Sequence, residues 1–244
     1  MKTVDIDTKA PWPKRLLRVL AICFLGGFFL LGCFAIWLRL TAADVATLPP
    51  LKTGDIVFQT DSSGQALAIM MASSSPFSYV GIVYIDDAGK AAVWEAVGPV
   101  KKTPLAEWIS HGRGGRLQVM RLTSPLSEKD WEKVFAWIKK QQGKPYDIYF
   151  TDGDDSFYCS ELVHDALQSA LDISLGKPQP VASLYLDSVP VKKLIAARWQ
   201  NYPLCKDGKA KSFDDCLEVI KSQSLITPAA LAADPQLEIV YSNY

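Results

Sequence analysis

The sequence predicts an α+β domain, with an antiparallel sheet packed against helices, preceded by one N-terminal transmembrane helix. Segments with strand-like composition lie between residues 55 and 122, and most segments with helical periodicity follow them. This separation along the chain is typical of an antiparallel sheet with helices grouped together. An uncharged block of 20 residues, 19–38, precedes both groups and predicts the transmembrane helix.

The composition excludes a disordered chain and argues against a nucleic-acid partner. The 244 residues carry 26 Lys and Arg against 26 Asp and Glu, and 49% are hydrophobic. Nucleic-acid binding requires a clustered positive excess, which a net charge of zero does not indicate. Enough hydrophobic residues remain outside 19–38 for one core of ordinary size, so we expect a single globular domain.

The block 19–38 has the length and composition of a membrane span. It holds 17 hydrophobic residues and three glycines, and twenty helical residues rise about 30 Å, the thickness of a bilayer core. Basic residues are concentrated before it, which favours a cytoplasmic N-terminus. We therefore expect a cytoplasmic tail (1–18), a span (19–38), a linker (39–50) and a domain (51–244) on the periplasmic side of a bacterial inner membrane.

Two processed alternatives remain open for this N-terminal region. Leu30-Leu31-Gly32-Cys33 resembles a bacterial lipobox, in which case Cys33 is lipidated and residues 1–32 are removed. Simple secretion after cleavage is the other alternative. All three possibilities place the domain where disulfides form, and Cys205 and Cys216 bracket a short polar loop that suits one. Two free thiols are the alternative there.

The first half of the domain carries strand signals separated by turns. Between the first two strands, the apolar run 65–72 indicates a short helix that ends at Ser73-Ser74-Ser75-Pro76. Asp86-Asp87-Ala88-Gly89 predicts a hairpin turn. The predicted strands are Asp55–Phe58, Val80–Ile85, Ala92–Ala96 and Leu117–Leu122.

The second half changes to helical periodicity. Ser127 is a predicted N-cap, and hydrophobic residues recur at helical spacing from Trp131 to Ile138 before Gly143 ends the segment. A second helix begins near Cys159 and places that cysteine on the same face as Leu162. The sulfur of Cys159 should therefore face the sheet.

Cys159 is the candidate nucleophile, and a buried structural cysteine is the alternative. A helix N-terminus stabilises the thiolate, which is the reactive form. The domain has two histidines. His164 lies about 140° around the helix from Cys159, so we expect it at the surface and out of reach of the sulfur. His111 falls in a glycine-rich loop, 110–115, and is a weak candidate for the base.

Four short segments, in this order and spacing, resemble the YiiX/YebB-like hydrolases, which are circularly permuted relatives of the NlpC-type, papain-like cysteine peptidases and amidases. The resemblance spans about residues 50–200. The segments are Thr53-Gly54-Asp55-Ile56-Val57-Phe58-Gln59, Ser78-Tyr79-Val80-Gly81-Ile82-Val83, Trp94-Glu95-Ala96-Val97 and Tyr158-Cys159-Ser160-Glu161-Leu162.

The resemblance implies a permuted papain-like fold and three site residues. Cys159 takes the position of the family's nucleophile, Tyr79 that of its histidine and Glu95 that of its polar third residue. The departure is at Tyr79, because the family's strand normally reads Ser-His-Val-Gly. A phenol with a pKa near 10 is a hydrogen-bond donor at neutral pH and not a base.

Three functional hypotheses follow. The first is a membrane-anchored cysteine hydrolase of a cell-envelope peptide or acyl group, weakened by the missing histidine and using His111, or water held by Glu95 and Tyr79. The second is a catalytically degenerate member that binds an envelope peptide or lipid without turnover. The third is an envelope protein that keeps only the fold. No cofactor is expected, and two distant histidines without a Cys-x-x-Cys pair predict no metal site.

Overall fold

Two groups of strands are present in the structure, a computed structural model that describes residues 22–24, 27, 32, 42–153 and 155–244. Within it, residues 42–244 form one compact unit. The strands are β1 (Ile56–Gln59), β2 (Tyr79–Ile85), β3 (Ala91–Ala96), β4 (Val100–Pro104), β5 (Gln118–Leu122), β6 (Gln179–Pro180), β7 (Ser224–Leu225) and β8 (Leu237–Ser242). Six of them form an antiparallel sheet in the order β4-β3-β2-β1-β5-β8, and β6 pairs with β7.

The helices lie between and after these strands. They are α1 (Ala66–Ser73), α2 (Leu105–His111), α3 (Glu128–Gln141), α4 (Cys159–Leu171), α5 (Val189–Arg198), α6 (Phe213–Ser222) and α7 (Pro228–Ala232). Helix α4 packs on β2, β3 and α3, and α1 packs on α5. Mixed helices and an antiparallel sheet agree with the predicted fold class.

The centre of the sheet is strand β1, and its sequence explains its position. Ile56, Val57 and Phe58 are all fully buried, so side chains on both faces of this strand are covered. A strand covered on both faces reads as a continuous apolar run and not as an alternating one. Its neighbour β2 pairs with it from Ile56 opposite Ile82 to Gln59 opposite Tyr79.

A second, smaller cluster of buried side chains forms around Tyr202, Cys205 and Cys216. Cys205 and Cys216 form a disulfide, which confirms that predicted pairing. The bond joins the loop after α5 to α6. It therefore fixes two segments that both contribute side chains to the pocket described below.

The predicted membrane span, 19–38, lies outside the described residues apart from Ile22–Phe24, Gly27 and Gly32. In the part of the chain that the structure describes, no helix has the length and apolar character needed to cross a bilayer. The tail 1–18 also lies outside that part. From the predicted linker, Ala43 donates a backbone hydrogen bond to Gly115.

Two histidine assignments change with the structure. His111 is the last residue of α2 and does not lie in a loop. His164 is half-buried, and its Nδ1 lies 2.6 Å from the carbonyl oxygen of Leu175, so it is less exposed than the sequence predicts. The reason is that the chain after α4 folds back over this side of the helix.

Candidate functional site

Cys159 is the first residue of α4 and points into the protein. Its exposed fraction is 3%, and Leu162 and Val163 on the same helix are fully buried. The backbone of Val80 on β2 donates a hydrogen bond to the sulfur, which confirms the prediction that the sulfur faces the sheet. Cys159 is a free thiol.

Burial decides the protonation state of this thiol. It raises the pKa of Cys159 above that of an ordinary thiol, to about 12, and the negative charge of Asp61 acts in the same direction. Hydrogen bonds from the backbone of Val80 and from Ser160 lower the pKa but do not compensate. At neutral pH the group is a thiol, although it lies at a helix N-terminus, which by itself favours the thiolate.

Tyr79 and Glu95 are brought together by the pairing of β2 and β3. The Tyr79 hydroxyl lies 2.9 Å from Glu95 Oε2 and 2.9 Å from the carbonyl oxygen of Ala96, and it donates to these acceptors. The other carboxylate oxygen of Glu95 accepts a hydrogen bond of 2.5 Å from Thr103. Lys101 Nζ is 3.9 Å from the same oxygen. The buried carboxylate of Glu95 is thus well satisfied by donors.

The Tyr79 phenol stays protonated. Burial raises its pKa well above the ordinary value, and the negative charges of Glu95 and of a Cys159 thiolate add to the effect. A phenol held in this way donates a hydrogen bond but does not accept a proton from a thiol at neutral pH. Tyr79, which the motif resemblance aligns with the family's histidine, therefore supplies no base.

The three predicted site residues belong to one region but do not open onto one cavity. Tyr79 interacts electrostatically with both Glu95 and Cys159. Cys159 lines an apolar pocket, whereas Tyr79 and Glu95 line a separate, more polar one together with His111. His111 thus lies on the Tyr79 side, and its imidazole is not a lining group of the Cys159 pocket.

Three polar residues around Cys159 were not predicted from the sequence. Tyr146 is buried, its hydroxyl accepts a 2.9 Å hydrogen bond from Gln65, and burial and the Cys159 charge raise its pKa. Ser78 lines the pocket with Cys159 and donates a hydrogen bond to Asp61. Tyr146 lies just after Gly143, which in the sequence predicts only the end of a helix, and no periodicity marks Asp61.

The pocket beside Cys159 is bordered almost entirely by hydrophobic side chains. Its cavity volume is about 130 Å³. Its walls come from α1, from 146–150, from 181–186, from α5 and from 220–228. The aliphatic lining residues are Ile69, Ala72, Ile148, Val181, Leu184, Leu186, Val191, Leu194, Ile195, Ile220, Leu225 and Ile226.

Similar proteins agree with this fold. The uncharacterized protein YiiX of Escherichia coli K12 is 36% identical over 194 residues, which cover 79% of this chain and 87% of that protein. A solved structure, described as the metalloprotein YiiX from Escherichia coli O157:H7, matches with a TM-score of 0.68 and 34% identity. The match covers 78% of this chain and 97% of that one.

The family model of the permuted papain-like amidase enzymes, YaeF/YiiX, C92 family, matches residues 50–241. This match includes all of the six-stranded sheet except the last residue of β8, and it includes Tyr79, Glu95 and Cys159. It confirms the resemblance that the four sequence motifs indicated. The chain belongs to this family of permuted papain-like amidases, which are hydrolases of the cysteine-peptidase type.

Proposed function

We propose that this chain is a membrane-anchored, extracytoplasmic member of the family that binds a lipid-like acyl group without ordinary turnover. The observation that carries the proposal is the surroundings of Cys159. Its thiol has a pKa of about 12 and lies against an apolar pocket, and the motif resemblance aligns the phenol of Tyr79 with the family's histidine.

The pocket supports an acyl ligand over an envelope peptide, the other ligand in this hypothesis. The lining of the pocket is predominantly hydrophobic, as is usual for sites that bind small molecules. Burial of hydrocarbon against aliphatic walls contributes about 0.8 kcal/mol per methylene group. A peptide backbone would instead need polar partners along its length, and few lining groups supply them.

The lack of turnover follows from the missing base. A positioned acid or base typically accelerates a reaction by about 10²–10⁴-fold. Here the phenol of Tyr79 is committed to Glu95 and Ala96. The Cys159 thiol is also protonated. At neutral pH the site therefore has neither the thiolate nucleophile nor a base that would generate it.

Two features support the proposed location of the domain outside the cytoplasm. The uncharged block 19–38 with a basic flank before it supports an anchor with the domain outside the cytoplasm. The Cys205–Cys216 disulfide is typical of an oxidising compartment.

The similar structure from Escherichia coli O157:H7 is described as that of a metalloprotein. Whether side chains of this chain could also bind a metal ion depends on where its potential ligands lie. Across 42–153 and 155–244, His, Cys, Asp and Glu side chains form no group of three or more that fits a metal ion. The residues described do not match a metal centre, and the proposal includes no metal-dependent step.

A weakened hydrolase is the second candidate, favoured by the placement of Cys159 at a helix N-terminus and by the family. In that case the base is His111 or a water held by Glu95 and Tyr79. Attack of the Cys159 sulfur on the carbonyl carbon of an ester would break the acyl C–O bond, release the alcohol with the proton that the thiol loses, and leave the acyl group on the sulfur as a thioester. This acyl-enzyme distinguishes the two candidates.

The test uses the full-length chain, a photo-reactive palmitate and p-nitrophenyl palmitate. We expect saturable cross-linking to peptides of α5 and of 220–228, no palmitoyl group on Cys159, and no hydrolysis above that of Cys159→Ala. Leu194→Asp, which puts a charge into the pocket, should abolish cross-linking. Ala196→Asp, on the exposed side of the same helix, should not.

Two outcomes overturn the proposal in different ways. Hydrolysis that disappears in Cys159→Ala, with a palmitoyl-Cys159 intermediate, establishes the weakened hydrolase. Absence of cross-linking in a folded protein removes ligand binding and leaves the third hypothesis, a protein that keeps only the fold.

A further inference from the structure

Several large hydrophobic side chains are exposed to solvent on the segments that form the walls of the apolar pocket. Val189 is 65% exposed, and Tyr185 is 53% exposed. Exposed hydrophobic residues are ordinary when they are scattered singly, whereas a contiguous patch marks an interaction surface. We call this set of residues the rim, and its members are Leu67, Met71, Ile148, Tyr185, Val189 and Leu204.

Helix α1 is hydrophobic on its exposed side as well as on its buried side. Seven of its eight residues are hydrophobic, and the eighth is Ser73. Ala66 and Ala68 are buried, whereas Leu67 and Met71 are exposed. A helix without a polar face is normally covered, either in a protein core or in a membrane. The outer face of α1 is therefore unlike that of a helix at a solvated protein surface.

Contacts between the segments that carry the rim join it into one surface. The backbone N–H of Tyr185 donates a 2.9 Å hydrogen bond to Ala72 near the end of α1. Helix α1 packs on α5, which begins with a rim residue. At the other end of α5, Arg198 donates to the carbonyl oxygen of Ile148 and to the side chain of Gln65, the residue before α1. The exposed residues of these segments are thus neighbours.

Positive charge is concentrated next to the rim. Residues 189–211, which include α5 and the loop after it, contain six basic side chains against one acidic side chain, that of Asp207, in a chain without net charge. Lys192 pairs with Asp187, but both side chains are exposed, so the pair is weak. The exposed basic residues of this segment are Lys192, Lys193, Lys206, Lys209 and Lys211.

The lysine-rich loop after α5 is held close to the rim by two contacts. Cys205 precedes the lysines of this loop and is bonded to Cys216 of α6. Tyr202, at the start of the loop, has its ring centre 6.0 Å from that of Tyr149. Tyr149 directly follows the rim residue Ile148. The hydrophobic rim and the positive charge therefore belong to one face of the domain.

We propose that the rim and the lysines beside it form a docking surface for an anionic phospholipid bilayer. Hydrophobic side chains that reach the acyl boundary, combined with lysines at the level of the head groups, are typical of interfacial membrane binding. This inference rests on the anchor in the proposed function, which keeps the domain next to a bilayer, and it does not depend on what the pocket holds. It adds the face with which the domain contacts the membrane.

The experiment maps the lipid contacts of the full-length chain in nanodiscs of phosphatidylcholine and phosphatidylglycerol. A trace of phosphatidylcholine with a photo-reactive group on its acyl chain should label peptides that contain Leu67, Tyr185 and Val189. Excess palmitate should not reduce this label. In nanodiscs of phosphatidylcholine alone the label should fall at least about fivefold, because each lysine near an anionic surface strengthens binding by about that factor.

A first pair of variants tests the hydrophobic part of the surface. Leu67→Asp/Val189→Asp should reduce the label about tenfold or more, because two apolar side chains no longer enter the acyl boundary. Ile239→Asp is the matched control, since Ile239 is 61% exposed on β8, outside the rim, and should leave the label unchanged. Melting temperatures show that both variants are folded.

A second pair of variants tests the charge. Lys206→Gln/Lys209→Gln/Lys211→Gln should lower the label in nanodiscs that contain phosphatidylglycerol but not in those of phosphatidylcholine alone. Lys139→Gln/Lys140→Gln, at exposed positions of α3, should change neither. An equal effect of the two sets would show that net charge, and not this surface, attracts the domain, and would overturn the proposal.

The failure of this inference is distinguishable from failure of the proposed function. Label confined to 19–38 overturns the docking surface, although the anchor stands. Label on the rim segments that excess palmitate removes comes from lipid inside the pocket and also overturns it, as does label that the rim and Ile239 variants retain equally. Absence of label from the whole chain overturns both the docking surface and the anchor.

Discussion

At the scale of single residues, the site is defined by two side chains that stay protonated at neutral pH. The thiol of Cys159 and the phenol of Tyr79 are both buried, and burial disfavours the charged form of each. Glu95 accepts the phenolic proton in a hydrogen bond but leaves it on the oxygen. A papain-like site in which the thiol is not ionised keeps its geometry but lacks the thiolate, which is the reactive form of the cysteine.

The first prediction concerns the pH dependence of Cys159 alkylation. Because the thiol pKa is raised to about 12, the thiolate fraction should still increase at pH 10. Labelling of the Cys159 peptide by iodoacetamide, followed by mass spectrometry, should accelerate about tenfold per pH unit from 7 to 10. An ordinary thiol levels off near its pKa of about 8.5. A plateau below pH 8.5 would show that Cys159 is an activated nucleophile.

The second prediction restores the missing base. Tyr79→His should create esterase or amidase activity that exceeds that of the unmodified chain by about 10²-fold or more, since an imidazole can take the thiol proton. The measurement is hydrolysis of p-nitrophenyl palmitate, and the double variant Tyr79→His/Cys159→Ser should be inactive. If the folded variant gains nothing, Tyr79 does not lie where a base can reach the sulfur.

At the scale of elements, the glycine of the Ser78–Gly81 motif has a packing role. A Cβ at Gly81 would lie 2.3 Å from Val93 Cγ1 and 3.0 Å from the carbonyl oxygen of Trp94, both on β3. The indole nitrogen of Trp108 would be 3.6 Å away. Close approach of β2 and β3 at this point allows Tyr79 and Glu95 to meet.

The third prediction follows from this approach. Gly81→Ala should lower the free energy of unfolding by about 1–3 kcal/mol, the usual cost of overpacking a core. Urea denaturation measures the change. Gly98→Ala is the matched control, because no atom lies within 4 Å of its added Cβ, and it should change stability by less than about 0.5 kcal/mol. Equal effects would contradict the steric explanation.

Local patterns predicted most elements near the site. The Ser127 cap, the helical spacing after it and the apolar run before Ser73 gave α3 and α1 to within about a residue at the predicted ends. Strand β4 was missed because its sequence, Val-Lys-Lys-Thr-Pro, has neither an apolar run nor clear alternation. Strand β8 was missed because its partner β5 lies more than 100 residues away in the chain.

At the scale of the whole molecule, the pocket could not be predicted from the sequence, because it is formed by segments that are far apart in the chain, as β8 and β5 are. Its walls come from segments between 69 and 228, and each segment alone reads as an ordinary amphipathic or apolar stretch. Cys159 was identified by a motif, whereas Arg198 and Tyr146 become site residues only when the chain closes around them. The family resemblance assigned Cys159, Tyr79 and Glu95 as site residues but predicted nothing about the residues that line the pocket.

The last prediction concerns the pH dependence of stability, which Glu161 should dominate between pH 5 and pH 8. Burial, followed by the charges of Asp165, Asp147 and Asp152, raises the pKa of Glu161 from 4.5 to about 9. The folded state therefore holds this proton more tightly than the unfolded chain. Its contribution is fully present below pH 4.5 and is lost as the pH rises towards 9. The free energy of unfolding, from urea denaturation, should fall by more than about 1 kcal/mol between pH 5 and pH 8.

Two variants test whether Glu161 causes this dependence of the free energy of unfolding on pH. Glu161→Gln keeps an acceptor for the Tyr158 backbone N–H and should remove most of the slope, whereas Glu132→Gln, at an exposed position of α3, should leave it intact. An unchanged slope in Glu161→Gln would mean that this carboxyl is ionised in the folded protein and that the N-terminus of α4 carries its negative charge beside Cys159.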